Sequence, residues 1–346
     1  MTQEAEARVA ADVRFPMKAV SLKSFWHPIA TSAEVSTKPR QFVLLGEKLV
    51  AFRSGDEVAV FADLCIHRGA ALSGGTVSNG NIVCPYHGWA YDKSGTCVHI
   101  PSLPAGMPIP AKARALPYEA REAYGLIWVC LSSPAQSFPE WPENAWNNPG
   151  YKVNFVKAYE WKTSAGRVVE NAMDFSHFNI VHVGYTELAD GPVVKPYEVN
   201  RTERGLRYAY DDGHLLREYT VDVPFIVHDR KSVVKVGTGA TWSDRPDSKT
   251  GDATILTFIA SPVQDMETRI YVFVSRNHSL DKDDEGFTGG FDAIMDQDRV
   301  IVETQRPEQI PIEVKEELHL RVPDAAGIMY RRALREIDKA EAFALP

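Results

Sequence analysis

Two mixed pairs of cysteine and histidine constrain this 346-residue chain more than any other feature. Cys65 and His67 form a C-x-H pair, and Cys84 and His87 form a C-x-x-H pair after sixteen intervening residues. Two thiolates and two imidazoles suit a tetrahedral zinc ion, or an iron–sulfur cluster in which two histidines replace two cysteines on one iron. Zinc sites usually pair cysteine with cysteine and histidine with histidine, so the mixed pairs favour the cluster.

The residues around the two pairs also favour a cluster. Gly69 follows the first pair and Gly88 the second, so the backbone can approach inorganic sulfur closely in both loops. The spacing closely resembles the Rieske motif. Respiratory Rieske proteins carry two further cysteines in these loops, whereas this chain has Arg68, Gly69 and Tyr86 at the corresponding positions. A disulfide between the loops is therefore excluded, as in the oxygenase branch of that family.

A second group of metal-ligand residue types lies about ninety residues further along the chain. Asp174 and His177 are three residues apart, so they would share one face of a helix predicted from Arg167 to His182. His182 is five residues beyond His177, about 140° around a straight helix. Both imidazoles can reach one metal only if the helix widens into a π-bulge or ends between them. We expect such an irregularity near residues 178–181.

Two imidazoles and one carboxylate form the facial triad that activates dioxygen on iron(II). The candidate carboxylate is Asp298, but Asp296 and Glu303 lie in the same helix, which is predicted from Phe287 to Gln305. Helical spacing alone cannot separate the three acids. A polar helix face is the competing interpretation of the histidines, and the preceding Rieske-like motif makes a metal site the favoured one.

The distribution of strand-forming and turn-forming residues predicts two domains. Short β-branched and aromatic runs separated by turn residues indicate an antiparallel β domain over residues 24–140, after an N-terminal arm at 1–23. A segment rich in proline and tryptophan then leads into a domain at 141–346, where a series of strands is bracketed by helices. The predicted fold class is α+β.

Composition and charge argue against several classes of protein without settling the partners. A net charge of -8 argues against nucleic-acid binding. The sequence contains no run of about 18 apolar residues that would cross a membrane. Four cysteines are too few for a disulfide scaffold, and Cys97 and Cys130, outside the motif, are predicted to be small buried residues. The N-terminus lacks the pattern of a secretory signal, so we expect a reducing, cytoplasmic setting.

Taken together, these motifs make residues 24–340 resemble the α subunit of Rieske non-haem iron oxygenases. The resemblance is to types that act on small, often nitrogen-containing substrates, such as methylxanthine N-demethylases and saxitoxin-pathway hydroxylases. The shared stretches are Phe25-Trp26-His27-Pro28, Cys84-Pro85-Tyr86-His87-Gly88-Trp89, Tyr124-Gly125-Leu126-Ile127-Trp128, Asp174-Phe175-Ser176-His177-Phe178, Gln305-Arg306-Pro307 and Tyr330-Arg331-Arg332.

The resemblance implies two metal centres and their ligands. A [2Fe-2S] Rieske cluster would be held by Cys65, His67, Cys84 and His87. A mononuclear Fe(II) would be held by His177, His182 and Asp298. Asp174 would bridge the two centres between neighbouring chains of a head-to-tail homotrimer, by hydrogen bonding His177 and the neighbour's His87. The second domain would be a helix-grip fold around an antiparallel sheet.

The resemblance also implies an activity, that of a terminal oxygenase. Such an enzyme takes electrons from NAD(P)H through a separate reductase, with or without a ferredoxin, and this chain has no convincing nucleotide-binding motif of its own. The favoured reaction is hydroxylation or oxidative N- or O-demethylation of a small cyclic or heteroaromatic compound by dioxygen. The alternatives are aromatic cis-dihydroxylation and a role as an electron carrier only, which would have no use for residues 150–346.

Overall fold

The computed structural model describes residues 22–189, 191–212, 215–233 and 251–342. Most of the predicted N-terminal arm, residues 1–23, lies outside these ranges. Within these ranges, a first part rich in short strands is followed by a second part in which helices pack on one large sheet. None of the helices in these ranges is long and apolar enough to cross a membrane.

Ten strands build the first part of the chain. They are β1 (His27–Thr31), β2 (Arg40–Leu44), β3 (Glu47–Ser54), β4 (Glu57–Ala62), β5 (Thr76–Ser78), β6 (Asn81–Val83), β7 (Ala90–Tyr91), β8 (Cys97–His99), β9 (Glu119–Ala123) and β10 (Leu126–Cys130). They form three antiparallel sheets with the orders β1-β10-β9, β2-β3-β4 and β5-β6-β7-β8. Tight turns connect several of these strands, such as the one at Leu45-Gly46, where both residues have positive φ.

One core of this part lies directly under the two Cys/His loops. Phe52, Phe61 and Leu72 are fully buried there, and their cluster includes Cys65 and Cys84. The cysteines are thus anchored in a packed β core while the intervening loop residues reach the surface. Packing of this kind fixes the two loops relative to each other.

Among the described residues, seven strands form one large sheet in the second part. They are β11 (Lys152–Trp161), β12 (Val199–Arg201), β13 (Gly205–Asp211), β14 (Leu215–Asp222), β15 (Ile226–Val233), β16 (Ala253–Gln264) and β17 (Glu267–Arg276). The sheet is antiparallel throughout, in the order β11-β17-β16-β15-β14-β13-β12. Alternate residues of β13 are buried, which is the two-residue period expected of a strand with one face on a core.

Five α-helices accompany this sheet in the described part of the chain. They are α1 (Ala165–Met173), α2 (Phe178–Val181), α3 (Glu285–Thr288), α4 (Phe291–Val302) and α5 (Ala325–Ala342). Their apolar residues join those of the sheet in one core, where Tyr330 and Leu334 of α5 are fully buried. The predicted α+β class is confirmed, with a large antiparallel sheet and helices in the second part.

The segment rich in proline and tryptophan is packed between the two parts. Trp141 is buried against Phe273 of β17 with ring centroids 5.0 Å apart, and its indole N–H donates to Oγ of Ser275 at 3.2 Å. The change from one set of sheets to the next falls between β10 and β11, a stretch that contains the predicted boundary at residues 140 and 141. The boundary itself stays a prediction.

The helix predicted from Arg167 to His182 is wrong in its middle. α1 ends at Met173, and Asp174 has extended backbone angles. The Asp174 carboxylate accepts hydrogen bonds from the backbone N–H groups of Ser176 and His177, which replaces the helical pattern with a turn. The interruption therefore precedes His177 instead of lying at 178–181, and Asp174 and His177 do not share a helix face.

The helix predicted from Phe287 to Gln305 is also two helices. Gly289 and Gly290 separate α3 from α4, and Gly290 has a φ of 84°. Glycine adopts such left-handed angles without the steric cost that other residues have. The break sets the start of α4, and with it the direction in which Asp298 projects.

Candidate metal centres

The two Cys/His loops have the same local construction. The N–H of Gly69 donates to the carbonyl of Cys65 at 2.9 Å, and the N–H of Gly88 donates to the carbonyl of Cys84 at 3.1 Å. Both glycines have positive φ, 74° and 71°. Each loop therefore folds back on its own cysteine, which places the cysteine and histidine of a pair on the same side of a tight turn.

The imidazoles of the two loops lie beside each other. The ring centroids of His67 and His87 are 4.6 Å apart, and His67 stacks on Trp89 at 4.5 Å with an interplanar angle of 6°. Nδ1 of His67 is buried and has no hydrogen-bond partner among the residues that the structure describes. A buried ring nitrogen without a partner is costly unless it binds something else, so the atom fits a metal ligand.

The Cys65 thiol occupies an environment in which a bare thiolate would be unstable. Burial raises the pKa of Cys65, and the neighbouring Cys84 adds to the effect. Oη of Tyr91 lies 3.1 Å from Sγ of Cys65, within reach of a hydrogen bond to the sulfur. Thiolates in such a place need a cationic centre to bind them, and a hydrogen bond to a ligand sulfur tunes the potential of a cluster.

A compact group of two imidazoles and a carboxylate lies under the large sheet. Nε2 of His177 and Nε2 of His182 are 3.2 Å apart. Oδ1 of Asp298 is 3.2 Å from Nε2 of His182 and 3.6 Å from Nε2 of His177. This oxygen is buried and has no hydrogen-bond partner in the described ranges. The three donor atoms converge on one point, as the ligands of a metal ion do.

The other two acids considered for this group lie elsewhere. The side chain of Asp296 is 70% exposed and pairs with Arg299 at 3.1 Å. Oε1 of Glu303 accepts the backbone N–H of Lys162 at 2.8 Å. α4 therefore directs only Asp298 of the three towards the histidines, because the residues occupy different faces of the helix.

Both imidazoles are oriented by a neighbour on the opposite side of the ring. Nδ1–H of His177 donates to Oδ2 of Asp174 at 2.7 Å, and Nδ1–H of His182 donates to Oε1 of Gln297 at 2.9 Å. With Nδ1 protonated, Nε2 carries the free lone pair and faces Asp298. Burial alone would raise the pKa of Asp174, but hydrogen bonds from His177 and Ser176 outweigh it and lower that pKa.

Comparisons with known proteins match both parts of the chain to known domain families. Residues 25–117 match the model of the Rieske [2Fe-2S] domain, and residues 161–340 match the vanillate O-demethylase oxygenase C-terminal domain. The second match covers more than half of the chain.

The chain belongs to the Rieske oxygenases.

Similar proteins support this assignment over nearly the whole chain. The methylxanthine N1-demethylase NdmA of Pseudomonas putida is 31% identical, over 92% of this chain and 90% of NdmA. A solved structure of an NdmA mutant with caffeine superposes with a TM-score of 0.81 at 31% identity, covering 93% of this chain and 92% of that one. Dicamba O-demethylase of Stenotrophomonas maltophilia is 34% identical over 46% of this chain and 48% of its own length.

These relatives are oxygenase components that demethylate small aromatic compounds, and this Rieske oxygenase is accordingly an oxidoreductase. The resemblance stated from the motifs is therefore confirmed, as is the presence of a Rieske [2Fe-2S] domain. The match of an oxygenase domain to residues 161–340 also argues against an electron carrier alone, which would not need it.

A cavity of about 370 Å³ in this Rieske oxygenase extends from the histidines and Asp298 along the sheet. Its walls are mainly aromatic and aliphatic side chains, among them Trp161, Tyr219, Leu256, Phe258, Phe287 and Phe291. A largely apolar cavity with a few polar groups is typical of a site for a small organic molecule. His177, His182 and Asp298 lie at one part of its wall, so a molecule bound there would contact the donor atoms.

Several residues of this Rieske oxygenase's sites were not found from the sequence. Gln297 orients His182, Trp89 stacks on His67 and Tyr91 contacts Cys65, yet none of them is a usual metal ligand. Trp89 belongs to one of the stretches shared with the family, so its position carried a signal. Gln297 carried none, because its contact depends on how α4 packs against α2.

Proposed function

We propose that this chain is a terminal oxygenase that uses dioxygen and externally supplied electrons to demethylate or hydroxylate a small, uncharged or weakly polar ring compound. The observation that carries the proposal is the convergence of His177, His182 and Asp298 at the wall of the apolar cavity. A metal held there would face any molecule bound in the cavity. The demethylation of methylxanthines, which are uncharged rings, by the relative NdmA agrees with this interpretation, while the O-demethylation of dicamba, an aromatic acid, agrees with the demethylation alone.

In this proposal the two centres have the ligands implied by the family motifs. The [2Fe-2S] cluster is held by Cys65, His67, Cys84 and His87. A mononuclear Fe(II) is held by His177, His182 and Asp298. The buried atoms without hydrogen-bond partners, Nδ1 of His67 and Oδ1 of Asp298, support this ligand set. Iron in a two-histidine, one-carboxylate site supplies open coordination positions for dioxygen.

The protein's own side chains then have distinct tasks. Asp174 and Gln297 hold the two imidazoles with Nε2 towards Asp298. The aromatic walls exclude water and hold a planar ring so that one of its methyl groups faces the triad. Removal of an N-methyl group by this route consumes one dioxygen, two electrons and two protons, and releases formaldehyde, water and the N–H product.

We further propose that the active form is a head-to-tail homotrimer in which Asp174 also accepts a hydrogen bond from His87 of a neighbouring subunit. The Asp174 side chain is 32% exposed, so it is open to a partner. Leu318, 92% exposed, and Ile301 line the same surface pocket as Asp174, while Leu64 and Tyr86 are exposed in the Cys/His loops. Exposed apolar residues at both ends of the suggested contact are typical of an interface.

The electrons would come from NAD(P)H through a separate reductase, with or without a ferredoxin. The four cysteines, all within the described ranges, are buried and unpaired, which agrees with a reducing compartment. We propose a cytoplasmic location on this basis.

The test is a reconstituted assay with this chain, a purified reductase, NADH and dioxygen. Caffeine and a set of methoxyaromatic amides would be supplied as substrates, with the Asp298→Ala variant as control. We expect formaldehyde and NADH oxidation in a 1:1 ratio, absent in the variant. With ¹⁸O₂, cis-dihydroxylation would instead give a diol with both labelled atoms, and such a product would replace the present proposal.

A further inference from the structure

One corner of the apolar cavity is strongly polar. Arg217 lies on β14, and Asp229 and Lys231 lie on β15, all three lining the cavity. Arg217 and Lys231 are directly opposite each other across the two strands, so their side chains project from the same face of the sheet. Buried charges are costly in an apolar cavity unless they are paired or reserved for a ligand.

Arg217 is committed to the protein. Its Nε donates to Asp212 at 2.8 Å, Nη1 to Asp229 at 3.2 Å and Nη2 to Oγ1 of Thr186 at 2.9 Å. The guanidinium carbon also lies 4.8 Å from the centre of the Phe178 ring. This side chain fixes the wall of the cavity and is not free to turn towards a bound molecule.

Lys231 is not committed in this way. Among the described residues its ammonium has only the Asp229 carboxylate as a partner, at the long distance of 3.5 Å from Oδ2. That oxygen already accepts from Arg217. An ammonium group carries three N–H donors, so at least two remain available beside the cavity. Oδ1 of Asp229 is buried and likewise lacks a hydrogen-bond partner in the described ranges.

Among the residues that the structure describes, the charges at this corner cancel. Two cations, Arg217 and Lys231, face two carboxylates, Asp212 and Asp229. At the iron end, a divalent ion would face the carboxylate of Asp298, and the Asp174 carboxylate would lie behind the His177 ring. A substrate carboxylate would leave a net negative charge in a low-dielectric cavity, whereas an uncharged group would leave the balance intact.

From this arrangement we propose that the cavity selects an uncharged planar ring compound with an amide-type group, whose carbonyl accepts from Lys231 and whose N–H donates to Asp229. The inference rests on the proposed function, because it takes this cavity to be the substrate site. It separates the chain's substrates from aromatic carboxylates, which would need an unpaired cation at the same place. Lys231 is then a residue that determines specificity.

Equilibrium binding tests the proposal with three ligands that differ in one group. 3-Methoxybenzamide offers the amide, 3-methoxybenzoate the carboxylate, and anisole neither. Calorimetric titration would be done under argon without reductase, so that no turnover contributes. We expect the amide to bind about tenfold more tightly than either of the others, the usual value of a hydrogen bond to a charged donor.

Two variants identify the source of this preference. In Lys231→Met the amide should bind no more tightly than anisole, while the affinity for anisole stays as in the unaltered protein. Lys112→Met removes the same charge from an exposed position in the first part of the chain and should keep the full preference. The ranking of ligands by the unaltered protein tests the proposal even where the Lys231 variant fails to fold.

Several outcomes would overturn the inference. The first is that the unaltered protein binds the benzoate more tightly than the amide. The second is that it binds all three ligands with equal affinity, or binds none of them. The third is that Lys231→Met keeps the full preference for the amide. Product analysis separates this failure from failure of the proposed function. Demethylation of 3-methoxybenzoate in preference to the amide would leave an oxygenase with a different selectivity, whereas tight amide binding without oxidation of any ligand would leave the selectivity and remove the activity.

Discussion

Gln297 and His182 are joined by a hydrogen bond of 2.9 Å from Nδ1–H of the imidazole to Oε1 of the amide. Gln297 precedes Asp298 in α4, so one helix contacts both sides of the histidine: the amide holds Nδ1, and the carboxylate lies 3.2 Å from Nε2. The position of the proposed iron thus depends on the packing of α4 against α2. Groups that orient a metal-binding histidine in this way contribute to metal affinity.

Gln297→Leu should therefore weaken iron binding without removing a ligand. A leucine side chain cannot accept a hydrogen bond from Nδ1–H of His182, so the imidazole is no longer held in place. We therefore expect the dissociation constant for Fe(II) to rise about 10- to 100-fold. Competition with a chelator followed by iron analysis measures the change. Asp296→Ala, on the exposed face of the same helix, should leave the constant unaltered, and an equal loss in both variants would contradict the role given to Gln297.

For the cluster, Cys65→Ser or His87→Ala should abolish the visible and EPR signals of a Rieske centre. Each change removes one of the four proposed ligands from a buried loop core, while the triad under the large sheet is untouched. Mononuclear iron should still bind, which metal analysis after reconstitution would check. An unchanged Rieske spectrum in either variant would rule out this ligand set.

Variants of the three proposed iron ligands should show the reverse pattern, with loss of the mononuclear iron and retention of the cluster. His177→Ala, His182→Ala and Asp298→Ala should each lose the mononuclear iron and keep the coloured cluster, because only the group under the sheet is altered. Iron content measured against the cluster absorbance gives the ratio directly. Glu303→Ala serves as the matched control, and retention of iron in Asp298→Ala with loss in the control would move the carboxylate ligand to Glu303.

The Asp174→Asn variant tests the proposed link between subunits. Both metal centres should stay near full occupancy. Turnover should fall by about 10- to 100-fold, because an asparagine cannot serve as the anionic acceptor for two imidazoles. Stopped-flow reoxidation of the reduced cluster should slow to the same extent. Light scattering would report the assembly; wild-type turnover in the variant, or full activity from a monomer, would be incompatible with the proposed electron path.

Glu317 predicts a pH dependence of stability. Burial alone would raise its pKa, but hydrogen bonds from Arg167 and Arg331 outweigh it and lower the pKa. A carboxyl whose pKa is lowered in the folded state stabilises the protein at pH values above its unfolded-state pKa, which is about 4.3 for glutamate. This stabilisation is lost as the pH falls through the folded-state pKa. Glu317→Gln should therefore lower the free energy of unfolding at pH 7 by about 1–2 kcal/mol and have a smaller effect near pH 4.

Urea denaturation at both pH values measures this difference. Glu316→Gln, at the exposed neighbouring position, should change stability by less than about 0.5 kcal/mol at either pH. If the loss of unfolding free energy caused by Glu317→Gln grew as the pH fell, the pKa of Glu317 would not be lowered in the folded state and the prediction would be wrong.

The cluster loops were the most predictable part of the molecule. In each pair the cysteine and histidine are two or three residues apart, and the following glycine closes the loop, so chain connectivity alone brings them together. The strands of the first part were equally readable from their short apolar runs. The middle of the α1–α2 region was not, because the Asp174 side chain competes for backbone N–H groups that a helix would have used.

The sequence by itself determined the family, the α+β class and the two Cys/His pairs, since all of these depend on residue types in recognisable patterns. It also predicted that His177 and His182 reach one metal, but not the backbone path that brings them there. Only the tertiary structure selected Asp298 over Asp296 and Glu303, because that choice depends on how α4 is rotated against α2. It also brought Arg217, Asp229 and Lys231 to one corner of the cavity. These side chains lie together because of the register between β14 and β15. No local pattern of residues specifies which charged side chains the register of a sheet will bring to a cavity.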